Sequence, residues 1–171
     1  MREAPSDVQE RKTSFAPVVA NDTRVLILGS LPGEASLKAQ RYYAHSQNKF
    51  WHLVGSVIGR DLAALDYSDR LSELLTHHIG LWDVVESASR KGSLDSAIRD
   101  ARHNALADLV ATLPDLRCVA FNGQKSARIG MRELADFDAE LLPLPSSSPA
   151  YASMSLTDKE QLWAGLGKFL R

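Results

Sequence analysis

With one cysteine in 171 residues, Cys118, the chain cannot form an internal disulfide. That cysteine sits in the apolar run CVAF, where it is expected to pack as a small buried residue. Long hydrophobic runs are missing as well. No segment is apolar enough to cross a bilayer, and the polar N-terminus lacks the apolar core of a signal peptide, so no membrane association and a cytoplasmic location are expected. Charge of one sign is not in excess: 20 Lys and Arg against 21 Asp and Glu leave a net charge of −1. Any contact with nucleic acid would therefore rest on a local patch, with Lys38, Arg41 and Lys49, and further on Arg90 with Lys91, as contributors. No metal set is legible, because His77 and His78 are adjacent and diverge on a helix, and no cysteine pair lies near them. Gly29 and Gly33 do not complete a dinucleotide fingerprint, and no phosphate-binding Gly-Lys-Ser/Thr occurs. Neither a metal nor an organic cofactor is expected.

What is present suits one domain with one substantial core, at 44% hydrophobic residues. Residues 1–14 are polar without periodicity and read as a flexible N-terminal tail, leaving residues 15–171 as the folded domain. Val25, Leu26, Ile27 and Leu28 form a strand buried on both faces, which Gly29, Pro32 and Gly33 end in a turn. Helical spacing of Phe50, Leu53, Val54, Val57 and Ile58 predicts a helix that stops at Gly59, and a second helix is expected over residues 68–77. An extended stretch over residues 80–85 then runs into a loop spanning 86–93. Asn104 is a suitable N-cap for a helix ending before Pro114, and strands are expected at 117–121 and 140–144, with a helix over 125–134 between them. Thr157 and Glu160 have capping-box spacing for a closing helix. Strands alternating with helices argue for a parallel α/β sheet.

The densest chemistry follows the first strand. Tyr42, Tyr43, His45, Asn48, Phe50 and Trp51 combine flat apolar faces with amide and imidazole groups, just past the C-terminal end of a buried strand. Open α/β folds bind ligands there. A planar, polar-edged ligand such as a nucleobase suits such a cluster.

The segments GSLPG and YYAHSQNKFW, with FNG at 121–123 and LPSSSPA at 144–150, resemble the hypoxanthine-DNA (deoxyinosine) glycosylases of the uracil-DNA glycosylase superfamily. The blocks agree in order and approximate spacing from about Phe15 to the C-terminus, with Ser46 standing where related branches have Pro. The resemblance implies a single-domain three-layer α/β/α fold with a four-stranded parallel sheet. It also implies a DNA repair glycosylase that hydrolyses the N-glycosidic bond of deoxyinosine, releasing hypoxanthine and leaving an abasic site without a lyase step. A uracil or G:T/G:U mismatch glycosylase shares the fold, and a catalytically silent nucleic-acid-binding module is a reading of another class. The partner would be damaged DNA, as duplex or single strand, bound by a monomer.

In such a reaction charge develops on the sugar and on the departing base, so the site must orient a water and bond the base edge. Asn48 occupies the family position most closely tied to catalysis; its bland alternative is a helix cap. Asn122 resembles the Asn of the second strand-end motif and is the other catalytic candidate, against a turn role beside Gly123. Gly29, Leu31, Pro32, Tyr43, His45 and Phe50 are candidates to line the base pocket, with Phe50 as the stacking face or, alternatively, a core residue. Leu31 stands where many superfamily relatives carry a polar water-activating group. Ser147, Ser148 and Tyr151 are expected on the DNA side, because hydroxyls and exposed amides suit phosphate contact.

Overall fold

A computed structural model describes residues 11–171; the first ten residues of the expected tail lie outside the described residues. The chain runs β1 (Lys12–Thr13), β2 (Val25–Gly29), α1 (Glu34–Ala39), α2 (Phe50–Ile58), α3 (Tyr67–Thr76), β3 (Ile79–Asp83), β4 (Val85–Ser89), β5 (Arg99–His103), α4 (Leu106–Ala111), β6 (Cys118–Asn122), α5 (Gln124–Glu133), β7 (Glu140–Leu144) and α6 (Leu156–Trp163). Strands β3, β2, β6 and β7 form, in that order, a four-stranded parallel sheet.

The period-2 alternation of β2 divides the core. Val25 and Ile27 point to one face and pack with Phe50, Trp51, Leu53, Leu74 and Trp163 from α2, α3 and α6. Leu26 and Leu28 point to the other and pack with Leu106, Val110, Ala127 and Leu134 on the side of α4 and α5. All five residues of β2 are buried, as are all five of β6, and this explains why both read as unbroken apolar runs. Each fully buried Leu or Phe contributes about 1.5–3 kcal/mol of transfer free energy, which makes these central strands the rigid base of the sheet. The α/β/α layering and parallel order expected from sequence are present.

Four local expectations are corrected. Residues 86–93, expected as loop, begin with β4, which pairs antiparallel with both β1 and β5 in a separate three-stranded sheet. Lys12 and Thr13 therefore belong to this sheet although the tail was expected to reach residue 14. Asn104 does not cap α4: its Nδ2 donates to the Asp83 carbonyl at 2.7 Å and to Ser14 Oγ at 3.2 Å. The closing helix is capped by Ser155, whose Oγ accepts from the Asp158 N–H at 3.1 Å, rather than by Thr157.

Candidate active site

Strands β2, β3, β6 and β7 end at Gly29, Asp83, Asn122 and Leu144, and all four residues line one cleft of about 1260 Å³. The 300–1,000 Å³ usual for a small-molecule site is smaller, so the opening accommodates more than an isolated base. Leu94, Met131 and Leu162, the large exposed hydrophobics among the described residues, all stand on its rim.

The second sheet fixes the first loop of the cleft. Arg90, 3% exposed, donates from Nη2 to the Pro32 carbonyl, from Nη1 to that of Leu31 at 3.5 Å, and from Nε to that of Gly92 at 2.8 Å. Ser30 Oγ donates to Asp95 Oδ1 at 2.5 Å. Gly29, Leu31 and Pro32 line the cleft on this clamped loop. Arg90, suggested by sequence as part of a surface patch, is instead an internal clamp; Lys91 beside it is exposed.

Tyr43 is the aromatic face of the cleft. Its ring lies parallel on Phe50, with centroids 3.8 Å apart and planes 12° apart, while Phe50 is fully buried in the core and off the cleft lining. This corrects the choice of Phe50 as the stacking residue: it backs Tyr43. Tyr43 has a left-handed backbone, φ 53°, uncommon for a bulky residue. The conformation is held by the Trp51 indole N–H donating to the Tyr43 carbonyl at 3.1 Å. The Tyr43 hydroxyl is buried and has no hydrogen-bond partner among the described residues. Burial, followed by the charge of Asp83, raises its pKa.

Asn48 lines the cleft and also serves the helix. Its Oδ1 accepts from the Phe50 N–H at 2.9 Å, so both the capping and the cleft-facing readings describe one side chain. One oxygen lone pair and the amide donors remain free of that bond. His45 is exposed at the mouth, its Nδ1 accepting from the Gln47 N–H at 3.1 Å.

Asn122 is buried at the floor, and its amide is bound reciprocally to one residue: Nδ2 donates to Ser147 Oγ and Oδ1 accepts from the Ser147 N–H, both at 2.9 Å. Ser147 is 1% exposed and its carbonyl accepts from the Lys49 N–H at 3.0 Å. The expectation that Ser147 faces DNA is therefore corrected: it joins β6, the β7–α6 loop and the start of α2. Ser148 and Tyr151 lie on the cleft lining, half-buried. Ser147→Ala is expected to cost about 1–3 kcal/mol of stability in urea denaturation because it strands a buried amide donor. Ser148→Ala, whose Oγ accepts only from the Ala150 N–H at 3.2 Å, should cost visibly less.

Asp83 was not singled out from the sequence. It is 4% exposed, and burial first and Asp95 second push its carboxyl up to about 7, with Arg90 opposing. The available signal was an acidic residue closing an otherwise apolar strand, GLWDVV, at the strand end where ligands bind. No group of three or more His, Cys, Asp or Glu residues able to hold a metal ion occurs among the described residues.

A model of the uracil DNA glycosylase superfamily matches residues 16–167. The hypoxanthine DNA glycosylase of Methanosarcina acetivorans is 40% identical over 152 residues, which are 89% of this chain and 95% of that protein. The hypoxanthine DNA glycosylase of Methanosarcina barkeri is 45% identical over 116 residues, 68% of this chain and 73% of that one. A solution NMR structure from Methanosarcina acetivorans, of a protein provisionally assigned as a uracil DNA glycosylase, superposes with a TM-score of 0.85 at 38% identity, covering 94% of this chain and 99% of the other.

Proposed function

The chain belongs to the uracil DNA glycosylase superfamily, and from that premise we propose that it is a DNA repair glycosylase releasing hypoxanthine from deoxyinosine by monofunctional hydrolysis. The observation that supports this reading best is the strand-end cleft with a tyrosine ring on one wall and amide groups of Asn48 and Asn122 on the others. A base inside a duplex must be extruded before its glycosidic bond can be reached, and a flat aromatic wall then holds it by stacking. Tyr43 supplies that wall, with Phe50 keeping it rigid from behind.

Breaking the bond leaves an oxocarbenium-like sugar and an electron-rich base. Asn48 orients the attacking water or the departing base with the part of its amide not used by the helix, and Leu31, on the same cleft, presents an apolar side chain that cannot bind water. Asn122 acts through Ser147, holding the β7–α6 loop against the Asn48 segment, and presents its remaining amide capacity to the cleft. Ser148 and Tyr151 meet the DNA backbone. The enzyme works as a monomer on duplex or single-stranded DNA, without a metal. Among the described residues no helix is long and apolar enough to cross a membrane.

The test is a set of matched oligonucleotides carrying inosine, uracil, xanthine or a G:T mismatch, incubated with the protein and a chelator and then treated with hot alkali. Alkali-labile cleavage at inosine is expected, unchanged by chelator. Activity that vanishes with chelator and returns with a divalent ion would overturn the metal-free reading, and binding without any base release would favour a silent module. Release of uracil is a second reading, favoured by the assignment of the structural neighbour.

A further inference from the structure

Asp83 closes β3 with a side chain almost entirely withdrawn from water, yet it lines the cleft and its Oδ2 has no hydrogen-bond partner among the described residues. Buried carboxylates are ordinarily paired or hydrogen-bonded, since an unpaired buried charge is costly. The groups that face it are few. The connection between β4 and β5 contributes Asp95 and, just after β4, Arg90; the segment before α2 contributes the Tyr43 hydroxyl. Arg90 spends its guanidinium on the carbonyls of Leu31, Pro32 and Gly92 and makes no ion pair with Asp83. Gly29 is its β2 neighbour, and a Cβ there would stand 2.6 Å from Asp83 Oδ1. The absence of a side chain at position 29 thus leaves room for this carboxyl to sit at the floor.

We propose that Asp83 is a further catalytic residue, a carboxylic acid that donates a hydrogen bond and then its proton to the purine edge of the extruded base. The inference rests on the reading of the chain as a hypoxanthine-releasing glycosylase. A purine is a better leaving group when a ring nitrogen other than the glycosidic one takes up a proton, and N7 offers such an acceptor. In the step, the bond between C1′ and N9 breaks with its electron pair going to the purine, and the Asp83 proton passes to N7. Water oxygen bonds to C1′ and releases its own proton to solvent, from which Asp83 is reprotonated. The setting favours the acid form: burial and the like charge of Asp95 both oppose ionisation, so the proton is held up to about pH 7. General acid catalysis of this kind contributes on the order of a hundredfold or more.

The experiment measures single-turnover hypoxanthine release from about pH 5.5 to about pH 9 by the wild type, Asp83→Asn and Asp83→Glu. The wild-type rate is expected to fall as pH rises through about 7. Asp83→Asn, which keeps shape and a donor but has no acid proton, should be about a hundredfold slower below neutrality and lose that alkaline limb. Asp83→Glu should be slower yet retain a limb, displaced in pH. Folding is checked by thermal melting. A carboxyl whose pKa is raised in the folded state contributes stability that is present at low pH and lost as pH rises through the folded value. Asp83→Asn should accordingly lose less stability than the wild type between about pH 5 and about pH 8. Wild-type hypoxanthine release with the same rate and pH profile in Asp83→Asn would overturn the acid role while leaving the glycosylase reading intact. A wild type that releases no hypoxanthine would overturn the base assignment and this role with it.

Discussion

Asn48→Ala is expected to lower the single-turnover rate of hypoxanthine release by about 10²–10³-fold while duplex affinity stays nearly unchanged. The amide reaches the cleft from the turn that starts α2, whereas Ser148 and Tyr151, the residues proposed to meet the DNA backbone, lie on another loop. Part of the damage will be structural, since the Phe50 N–H loses its acceptor, and a lost cap of this kind costs about 1 kcal/mol. Asn48→Asp separates the two effects. It keeps an oxygen for the Phe50 N–H and removes the amide donors, so full stability with a low rate assigns the catalytic contribution to the donors. A folded Asn48→Ala protein with a near-normal rate would move the role elsewhere, to Asn122 first.

The second large effect is expected at Gly29. Its substitution by Ala would place a Cβ 2.6 Å from Asp83 Oδ1 and 3.0 Å from the Tyr43 hydroxyl, distances that force one of them to move. Overpacking of this sort costs about 1–3 kcal/mol, readable in thermal melting. The kinetic cost should be larger, because displacing the Tyr43 ring or the floor carboxyl by a fraction of an ångström spoils the proposed alignment, and misplacements near 1 Å reduce rates by about a hundredfold. Gly33→Ala is the control: its Cβ would meet only the Ser93 side chain, Oγ at 3.4 Å and Cβ at 3.5 Å, so stability and rate should both stay close to wild type. Equal losses at both positions would mean that loop flexibility, rather than the floor contact, is what Gly29 provides.

Much of this molecule is legible in the sequence because its central strands are buried on both faces. The run from Val25 to Leu28 and the strand Cys118–Asn122 stand out by composition and by the turn residues beside them, and α2 stops at Gly59 as its spacing predicts. The second sheet was hidden for a physical reason. All five residues of β5 are exposed, so no alternation betrays the strand, and its sheet includes a two-residue strand some seventy positions away from β4. Within the site, the sequence points to Phe50 as the stacking face, with a core residue as its alternative, and the structure favours the alternative: Phe50 belongs to the apolar face of α2, and Tyr43 is laid over it by a left-handed turn that local sequence does not announce. Three consecutive serines were likewise indistinguishable by type. The long-range pairing with Asn122 buries Ser147, whereas Ser148 stays half-buried on the cleft lining. Asp83 is not legible in the sequence because its meaning depends on what surrounds it, and two of its neighbours, Arg90 and Asp95, come from the connection within the second sheet.

The β7–α6 loop is fastened along its length. The Trp163 indole N–H donates to the Pro145 carbonyl at 3.0 Å, and Ser147 is held by Asn122 and Lys49. The Lys159 ammonium, kept below its ordinary pKa by burial, donates to the Tyr151 carbonyl at 2.8 Å and lies 5.2 Å from the centre of the Tyr151 ring. Ordering a free side chain on association costs about 0.5–1.5 kcal/mol, and here that entropy has already been surrendered during folding. On the proposed reading, DNA would meet a preorganised template, and the conformational work of complex formation would fall on the nucleic acid, whose nucleotide must leave the stack.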